Sequence, residues 1–109
     1  LLKSSVRGGD IACRYGGDEF LVIMPEISPE IAMRRGEQLR RQMSTLAVRG
    51  ESRESRTVTI SVGVALWPYH GDDAGNVLRS ADLALFAAKE KGGNCVVMAS
   101  SPETDQLNA

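Results

Sequence analysis

The residues best suited to chemistry lie in the segment Gly16–Glu19, which reads Gly-Gly-Asp-Glu and directly precedes the apolar run Phe20–Met24. Two adjacent glycines permit positive φ and leave the backbone open to a close neighbour. A plain hairpin turn needs the glycines, but it does not explain the adjacent carboxylates of Asp18 and Glu19. Because Mg²⁺ takes one or two carboxylates plus phosphate oxygens, the segment fits a metal–phosphate site as well as it fits a solvated turn.

A predicted β-hairpin positions these carboxylates. Before the glycines, apolar and unlike residues alternate from Ile11 to Tyr15, which is the period of a strand with two different faces. After them, Phe20–Met24 is apolar at every position, which is typical of a strand buried on both faces. We therefore predict two antiparallel strands with Gly16-Gly17 at the tip.

A first helix is predicted to begin at Ser28, because Ser28 can cap it and Pro29 fits its first position. Its apolar stripe consists of Ala32, Leu39, Met43 and Leu46. The arginines between these positions are interpreted as a solvated outer face. The polar segment Arg49–Arg56 is predicted to be a loop or a small exposed hairpin.

The segment Thr57–Trp67 is the clearest strand. Its large side chains share one face, and the residues of the other face from Thr57 to Ala65 are all small (Thr57, Thr59, Ser61, Gly63 and Ala65). The large face is predicted to pack on helices, and the small face allows close approach of either a helix or a ligand. His70, the only histidine, is predicted to be a loop residue, because no second His or Cys stands at ligand spacing.

A second helix follows, capped by Asp72 or Asp73 and ended by Gly92-Gly93. Its predicted stripe is Val77, Ala81, Ala84 and Ala88, widened by Leu78 and Leu85. The segment Asn94–Ala99 is the last predicted strand. The order of elements predicts an α/β (α+β) fold in which one sheet is covered by helices.

Composition limits the possible functions. The 109 residues suit one domain, and a net charge of −1 gives no general electrostatic reason to bind nucleic acid or an anionic membrane. No apolar run, Phe20–Met24 included, is long enough to span a bilayer, so we expect no membrane contact by this segment. Cys13 and Cys95 have strand-like apolar surroundings, which favours free thiols and a cytoplasmic location over a disulfide.

Several segments of the sequence resemble a known protein family. The string "RYGGDEF" (Arg14–Phe20) resembles the signature of GGDEF domains, the diguanylate cyclases of bacteria. The segments Thr59–Pro68 and Ala81–Asn94 resemble the strand and the last helix of that family, and "RGGD" (Arg7–Asp10) resembles its Arg-x-x-Asp product-binding motif. The resemblance implies a nucleotidyl-cyclase-like (ferredoxin-like) central sheet, with the GGDEF turn on a hairpin.

The same resemblance implies a reaction. Such domains condense two GTP molecules into cyclic di-GMP and release pyrophosphate, as part of second-messenger signalling. It implies that Gly16, Gly17 and Lys89 bind the substrate. It also implies that Asp18 and Glu19 are catalytic and bind Mg²⁺ (or Mn²⁺), with Asp18 helping to deprotonate the attacking 3′-hydroxyl.

Partners follow from the resemblance as well. One GTP is held by each of two domains, so a homodimer is expected. Arg7 and Asp10 are expected to hold the inhibitory product, cyclic di-GMP. The alternative for Arg7 and Asp10 is an ordinary surface ion pair.

Three departures from the family pattern stand beside the resemblance. The family's first strand, with a metal-binding Asp, and a guanine-reading Asn precede the part that is matched here. We therefore interpret residues 1–99 as the latter two-thirds of the domain, with 100–109 as a polar tail or linker, and expect this fragment alone to be inactive. Gly93 replaces a phosphate-binding Arg, and Gln38 stands where some members carry a product-binding Arg.

A second function is therefore kept open. The chain could belong to a catalytically weak module that binds GTP or cyclic di-GMP and regulates a linked phosphodiesterase or effector domain. Gly93 favours that alternative, whereas the intact Asp18-Glu19 pair favours the enzyme.

Overall fold

The computed structural model describes residues 2–4, 10–25, 27–50 and 59–100. In chain order the elements are β1 (Leu2–Ser4), β2 (Ile11–Gly16), β3 (Glu19–Pro25), α1 (Pro29–Gly50), β4 (Ser61–Trp67), α2 (Ala74–Glu90) and β5 (Val96–Met98). The strands form one sheet in the order β1-β2-β3-β4-β5. The pairs β1–β2 and β2–β3 are antiparallel, and the pairs β3–β4 and β4–β5 are parallel. The predicted α+β fold, with one sheet covered by helices, is confirmed.

The β2–β3 hairpin is present, but its tip lies one residue later than predicted. Gly16 still belongs to β2 and pairs with Glu19, so the turn is made by Gly17 and Asp18. The strand register shifts between Arg14 and Gly16, and this irregularity lets β2 take in the additional residue. Asp18 therefore lies in the turn itself, and Glu19 is the first residue of β3.

Helix α1 covers one face of the sheet. It begins where predicted, because the amide of Ile31 donates to Ser28 Oγ at 3.2 Å. The buried residues on this face come from β2, β3, α1 and β4: Ala12, Phe20, Val22, Met24, Ala32, Leu39, Ile60, Val62, Val64 and Leu66. Gly36 also lies at this contact, although the predicted stripe did not include it. A Cβ there would stand 2.9 Å from Val96 Cγ1, so α1 approaches β5 as closely as a glycine allows.

Helix α2 covers the opposite face, along the small side chains of β4. A Cβ on Gly63 would lie 2.4 Å from the carbonyl oxygen of Ala81, so the close neighbour of the small face is a helix. Asp73 caps α2 by accepting from the amide of Asn76 at 2.8 Å. The predicted stripe is buried, but its extension to Leu78 is wrong, since that side chain is 41% exposed.

The remaining predictions differ at the ends of elements. Helix α1 continues through Gly50, and β4 begins at Ser61 instead of Thr57. The predicted loop Arg49–Arg56 is wrong for its first two residues, which belong to α1. Its remaining residues, and the predicted tail from position 101 on, lie outside the described residues. Strand β1 was not predicted. Neither α1 nor α2 has the length and apolar character needed to cross a membrane.

Candidate active site

The parallel pairing of β3 and β4 builds the site at one edge of the sheet. Glu19 pairs with Ser61 at the start of both strands, and the amide of Ser61 donates to the carbonyl of Asp18 at 2.9 Å. Because a helix that joins parallel strands runs back along the sheet, α2 ends at the edge where β4 begins. Lys89, in the last turn of α2, therefore reaches the β2–β3 turn.

An ion pair joins the turn to the end of α2. Lys89 Nζ donates to Glu19 Oε2, although 70 positions separate the two residues in sequence. The hydrogen bond to Glu19 raises the pKa of Lys89, and the negative charges of Glu19 and Asp18 raise it further. The Lys89 side chain is 52% exposed and that of Glu19 is 21% exposed. The structure thus brings three of the predicted site residues into one electrostatic group.

The two glycines of the turn provide space in different ways. A Cβ on Gly16 would lie 3.1 Å from Glu19 Oε1, so the missing side chain makes room for that carboxylate. A Cβ on Gly17 would meet nothing within 4 Å, so there is space beside this position of the turn. Neither residue adopts positive φ; among the described glycines, positive φ occurs at Gly92 and Gly93.

The donor set fits a divalent cation that shares its coordination with phosphate. Asp18 is exposed in the turn, and the carboxylate of Glu19 is held beneath Gly16. Within the described ranges no group of three or more His, Cys, Asp or Glu residues could hold a metal ion. The carboxylates of Asp18 and Glu19 could supply part of the coordination of Mg²⁺, which takes one or two carboxylates together with phosphate oxygens and water.

The loop after α2 adjoins the same site. Gly92, Gly93 and Asn94 have φ values of 105°, 77° and 56°. A Cβ on Gly93 would lie 3.1 Å from Ser61 Oγ, and that hydroxyl accepts from the amide of Asn94 at 3.2 Å. Since the amide of Ser61 is bonded to the turn, Gly93 lies close to the site but carries no cation to it.

An arginine from α1 holds this loop. Arg40 Nη1 donates to Asn94 Oδ1 at 2.6 Å, and the same guanidinium binds both carboxylate oxygens of Glu37, at 2.9 and 2.5 Å. The hydrogen bond from Arg40 is the largest cause that lowers the pKa of Glu37. The side chain of Arg40 is only 17% exposed, so the prediction of a fully solvated arginine face on α1 is wrong here. The reason is that a charged partner and a loop amide satisfy the guanidinium.

A second polar cluster surrounds Asp10, which is 2% exposed. Its Oδ2 accepts from Arg35 Nη2, while Asp10 Oδ1 and Arg35 Nε are buried without a partner among the described residues. A cavity of about 250 Å³ lies at this pair, lined by Asp10, Val22, Met24, Arg35, Gln38, Leu39 and Gln42. The prediction of a solvated arginine face is wrong for Arg35 too, whose side chain is 17% exposed. Arg7, the other predicted residue of this motif, lies outside the described residues.

Sequence reasoning missed Arg35, although a signal was present. Arg35 stands between Ala32 and Leu39 at helical spacing, so it lies on the apolar stripe of α1. A charged residue on such a stripe needs a buried partner, and Asp10 was the available carboxylate. His70, by contrast, is a turn residue as predicted: its Nδ1 accepts from the amide of Leu66 at 2.9 Å, which gives it a structural role.

Comparison with known proteins matches this chain to diguanylate cyclases. The family described as "Diguanylate cyclase, GGDEF domain" matches residues 1–95. The response regulator PleD of Caulobacter vibrioides is 42% identical over 100 residues, which are 88% of this chain and 21% of that protein. Diguanylate cyclase A of Treponema denticola is 33% identical over 90% of this chain and 26% of its own length. Diguanylate cyclase DosC of Escherichia coli is 33% identical over 84% of this chain and 20% of its own length. The chain spans about a fifth to a quarter of these relatives, and no solved structure gives a significant match.

Proposed function

Because this chain belongs to the GGDEF domain family of diguanylate cyclases, we propose that its β2–β3 turn and Lys89 form the GTP site of such an enzyme. The reaction condenses two GTP molecules into cyclic di-GMP and pyrophosphate. The observation that supports this most is the ion pair of Lys89 with Glu19, near the charge of Asp18 and beside the space at the Cβ position of Gly17. Carboxylate ligands for a metal ion and an ammonium group for a phosphate then lie at one edge of the sheet.

Each residue has a stated role in this proposal. Asp18 and Glu19 hold Mg²⁺ (or Mn²⁺), which neutralises charge on the phosphate oxygens when bound. Lys89 contributes a point charge to a phosphate group. Gly16 and Gly17 keep the turn clear of side chains, so that the nucleotide can approach the backbone. In this proposal Asp18, which is exposed at the tip, accepts the proton of the attacking 3′-hydroxyl.

The proposal requires a homodimer. One turn with one lysine can hold one triphosphate, whereas the product joins two nucleotides, so two such sites must face each other. We further expect the 109-residue chain by itself to make no cyclic di-GMP, since the described part offers only the pair Asp18 and Glu19 for the metal.

Cyclic di-GMP is proposed to bind at the Asp10 cavity. Among the described residues, one carboxylate oxygen of Asp10 and one N–H of Arg35 are buried without a hydrogen-bond partner, and both lie at a cavity of about 250 Å³. A ligand with a donor and an acceptor would satisfy both groups. We assign Arg7 to the same site from the Arg-x-x-Asp motif.

One observation favours the regulatory module as a second candidate. Gly93 brings no cation to the phosphates, and its φ of 77° disfavours replacement by a side chain. A site that lacks the cation of the family's Arg at this position would bind GTP and react slowly. Such a module would still bind nucleotide and could control a linked domain.

The test uses a complete GGDEF domain that carries this sequence, incubated with GTP and Mg²⁺, with cyclic di-GMP measured by chromatography and mass spectrometry. Glu19→Gln keeps the shape of the side chain but removes the charge, and it should reduce the rate by at least about a hundredfold. Glu90→Gln, a matched change on an exposed carboxylate beside Lys89, should leave the rate unchanged. Equal rates for Glu19→Gln and the parent would refute the enzyme. GTP binding without product would support the regulatory module instead.

A further inference from the structure

The amino group of Lys89 is hydrogen-bonded to a carboxylate oxygen of Glu19, which is also a ligand of the proposed metal site. Lys89 Nζ donates to Glu19 Oε2, and Asp18 adds to the negative potential at the ammonium. A divalent cation that binds to the carboxylates of Asp18 and Glu19 would find one of these ligands, Glu19, already paired with Lys89. The two cations therefore compete for the same carboxylate.

We propose that Lys89 acts as a gate on the metal site, which a divalent cation opens by displacing the ammonium from Glu19. This inference rests on the proposed function of the site. The displaced ammonium is left without its partner when the metal arrives alone. It gains a phosphate partner when the metal arrives with a triphosphate. The gate consequently favours the metal–triphosphate complex over the free metal ion.

The packing shows which partner moves. Glu19 begins β3, and its side chain is only 21% exposed, so its position is restricted. Lys89 lies in the last turn of α2 with a 52% exposed side chain on a flexible four-carbon stem. The ammonium can swing away into solvent, whereas the carboxylate stays at the turn.

The size of the effect is modest, because the pair is partly exposed. Exposed ion pairs contribute little and are screened by salt, so removing the competitor should tighten metal binding by roughly two- to fivefold. The direction of the change in metal affinity distinguishes a gate from a lysine that only binds phosphate. A lysine that only binds phosphate would leave the affinity for the free metal unchanged when it is replaced.

The experiment titrates Mn²⁺ alone into the 109-residue chain and follows the paramagnetic broadening of the amide signals of residues 17–20 by NMR. Lys89→Met should bind Mn²⁺ roughly two- to fivefold more tightly than the parent. The same variant should bind inorganic triphosphate with Mn²⁺ more weakly than the parent. Lys89→Arg, which keeps the charge, should resemble the parent for Mn²⁺ alone, and well-dispersed spectra establish that each variant is folded.

The outcomes separate this inference from the proposed function. If Lys89→Met binds Mn²⁺ no more tightly than the parent, while Glu19→Gln loses the broadening, the metal site stands and the gate is refuted. If no variant shows broadening at residues 17–20, both the metal site and the gate are refuted. Broadening that appears only in Lys89→Met supports the gate in its strongest form.

Discussion

Replacing Arg35 by methionine should destabilise the fold more than any exposed arginine substitution. Asp10 is 2% exposed, and Arg35 is the one hydrogen-bond partner of its carboxylate among the described residues. Removing one partner of a buried pair typically costs about 3–5 kcal/mol, because the other charge stays buried and unpaired. For a domain of this length, that corresponds to a fall in melting temperature of roughly 12–20 °C.

Replacing Asp10, the other partner of the pair, should lower the free energy of unfolding by less, because Asp10 is more deeply buried than Arg35. Asp10→Asn removes the buried charge, and Arg35, whose side chain is 17% exposed, keeps some access to water. We expect a loss of about 1–2 kcal/mol for this variant. In the double variant no buried charge remains, so its loss should be smaller than the sum of the single losses.

The assay is equilibrium unfolding in urea at neutral pH, followed by circular dichroism, for both single variants and the double variant. Arg41→Met is the matched control, since Arg41 lies on the same helix, 74% exposed, and pairs with Glu37 at 3.1 Å. It should change the free energy of unfolding by about 0.5 kcal/mol or less. A loss below about 1 kcal/mol for Arg35→Met, or additive losses in the double variant, would refute the argument from a buried charge.

Three further predictions concern single positions. Gly93→Arg should lower the unfolding free energy by about 1–2 kcal/mol in urea titrations, because φ is 77°, whereas Gly93→Asn, which tolerates that conformation, should lose less. Burial lowers the pKa of His70, so the unfolded chain binds its proton more readily; stability should be full above about pH 6.5 and decline as the pH falls through the folded-state pKa. Urea titrations across that range should show a weaker decline for His70→Gln, and an unchanged decline would exclude His70 as the cause. Gly63→Ala should lose at least about 2 kcal/mol or fail to fold, since its Cβ would lie 2.4 Å from the carbonyl of Ala81, while Gly17→Ala, with nothing within 4 Å, should unfold like the parent.

The elements that were predicted well are those with local signals. Ser28 and Asp73 cap their helices as predicted, and Gly92-Gly93 ends α2 with positive φ. The shifted hairpin tip depends on a register change in β2, and the residue types of β2 do not predict that change. Leu78 was assigned to the buried stripe by period alone, but burial at the edge of a stripe depends on how far the sheet extends beneath the helix.

The candidate site was predictable in its residues and not in its contacts. The string Gly16–Glu19 and the family resemblance identify Asp18, Glu19 and Lys89 from the sequence alone. The ion pair between Glu19 and Lys89 joins residues 70 positions apart, so it follows only from the way α2 runs back along β4. Arg35 was misjudged for a related reason: whether an arginine is solvated depends on the location of its partner, and Asp10 lies 25 positions away.

The position of Lys89 is set by residues that do no chemistry. Gly63 and Ser61 are separated by one residue on β4, which is a strand distance of roughly 7 Å. From Ala81, which contacts Gly63, to Lys89 is eight residues of helix, or about 12 Å. The helix therefore extends past the end of the strand by about the length needed to bring Lys89 to the turn. Because the glycine at 63 fixes how closely α2 lies on the sheet, a larger residue there would lift the whole helix and move the ammonium away from Glu19. The small face of β4 thus links the packing of the core to the geometry of the charged site.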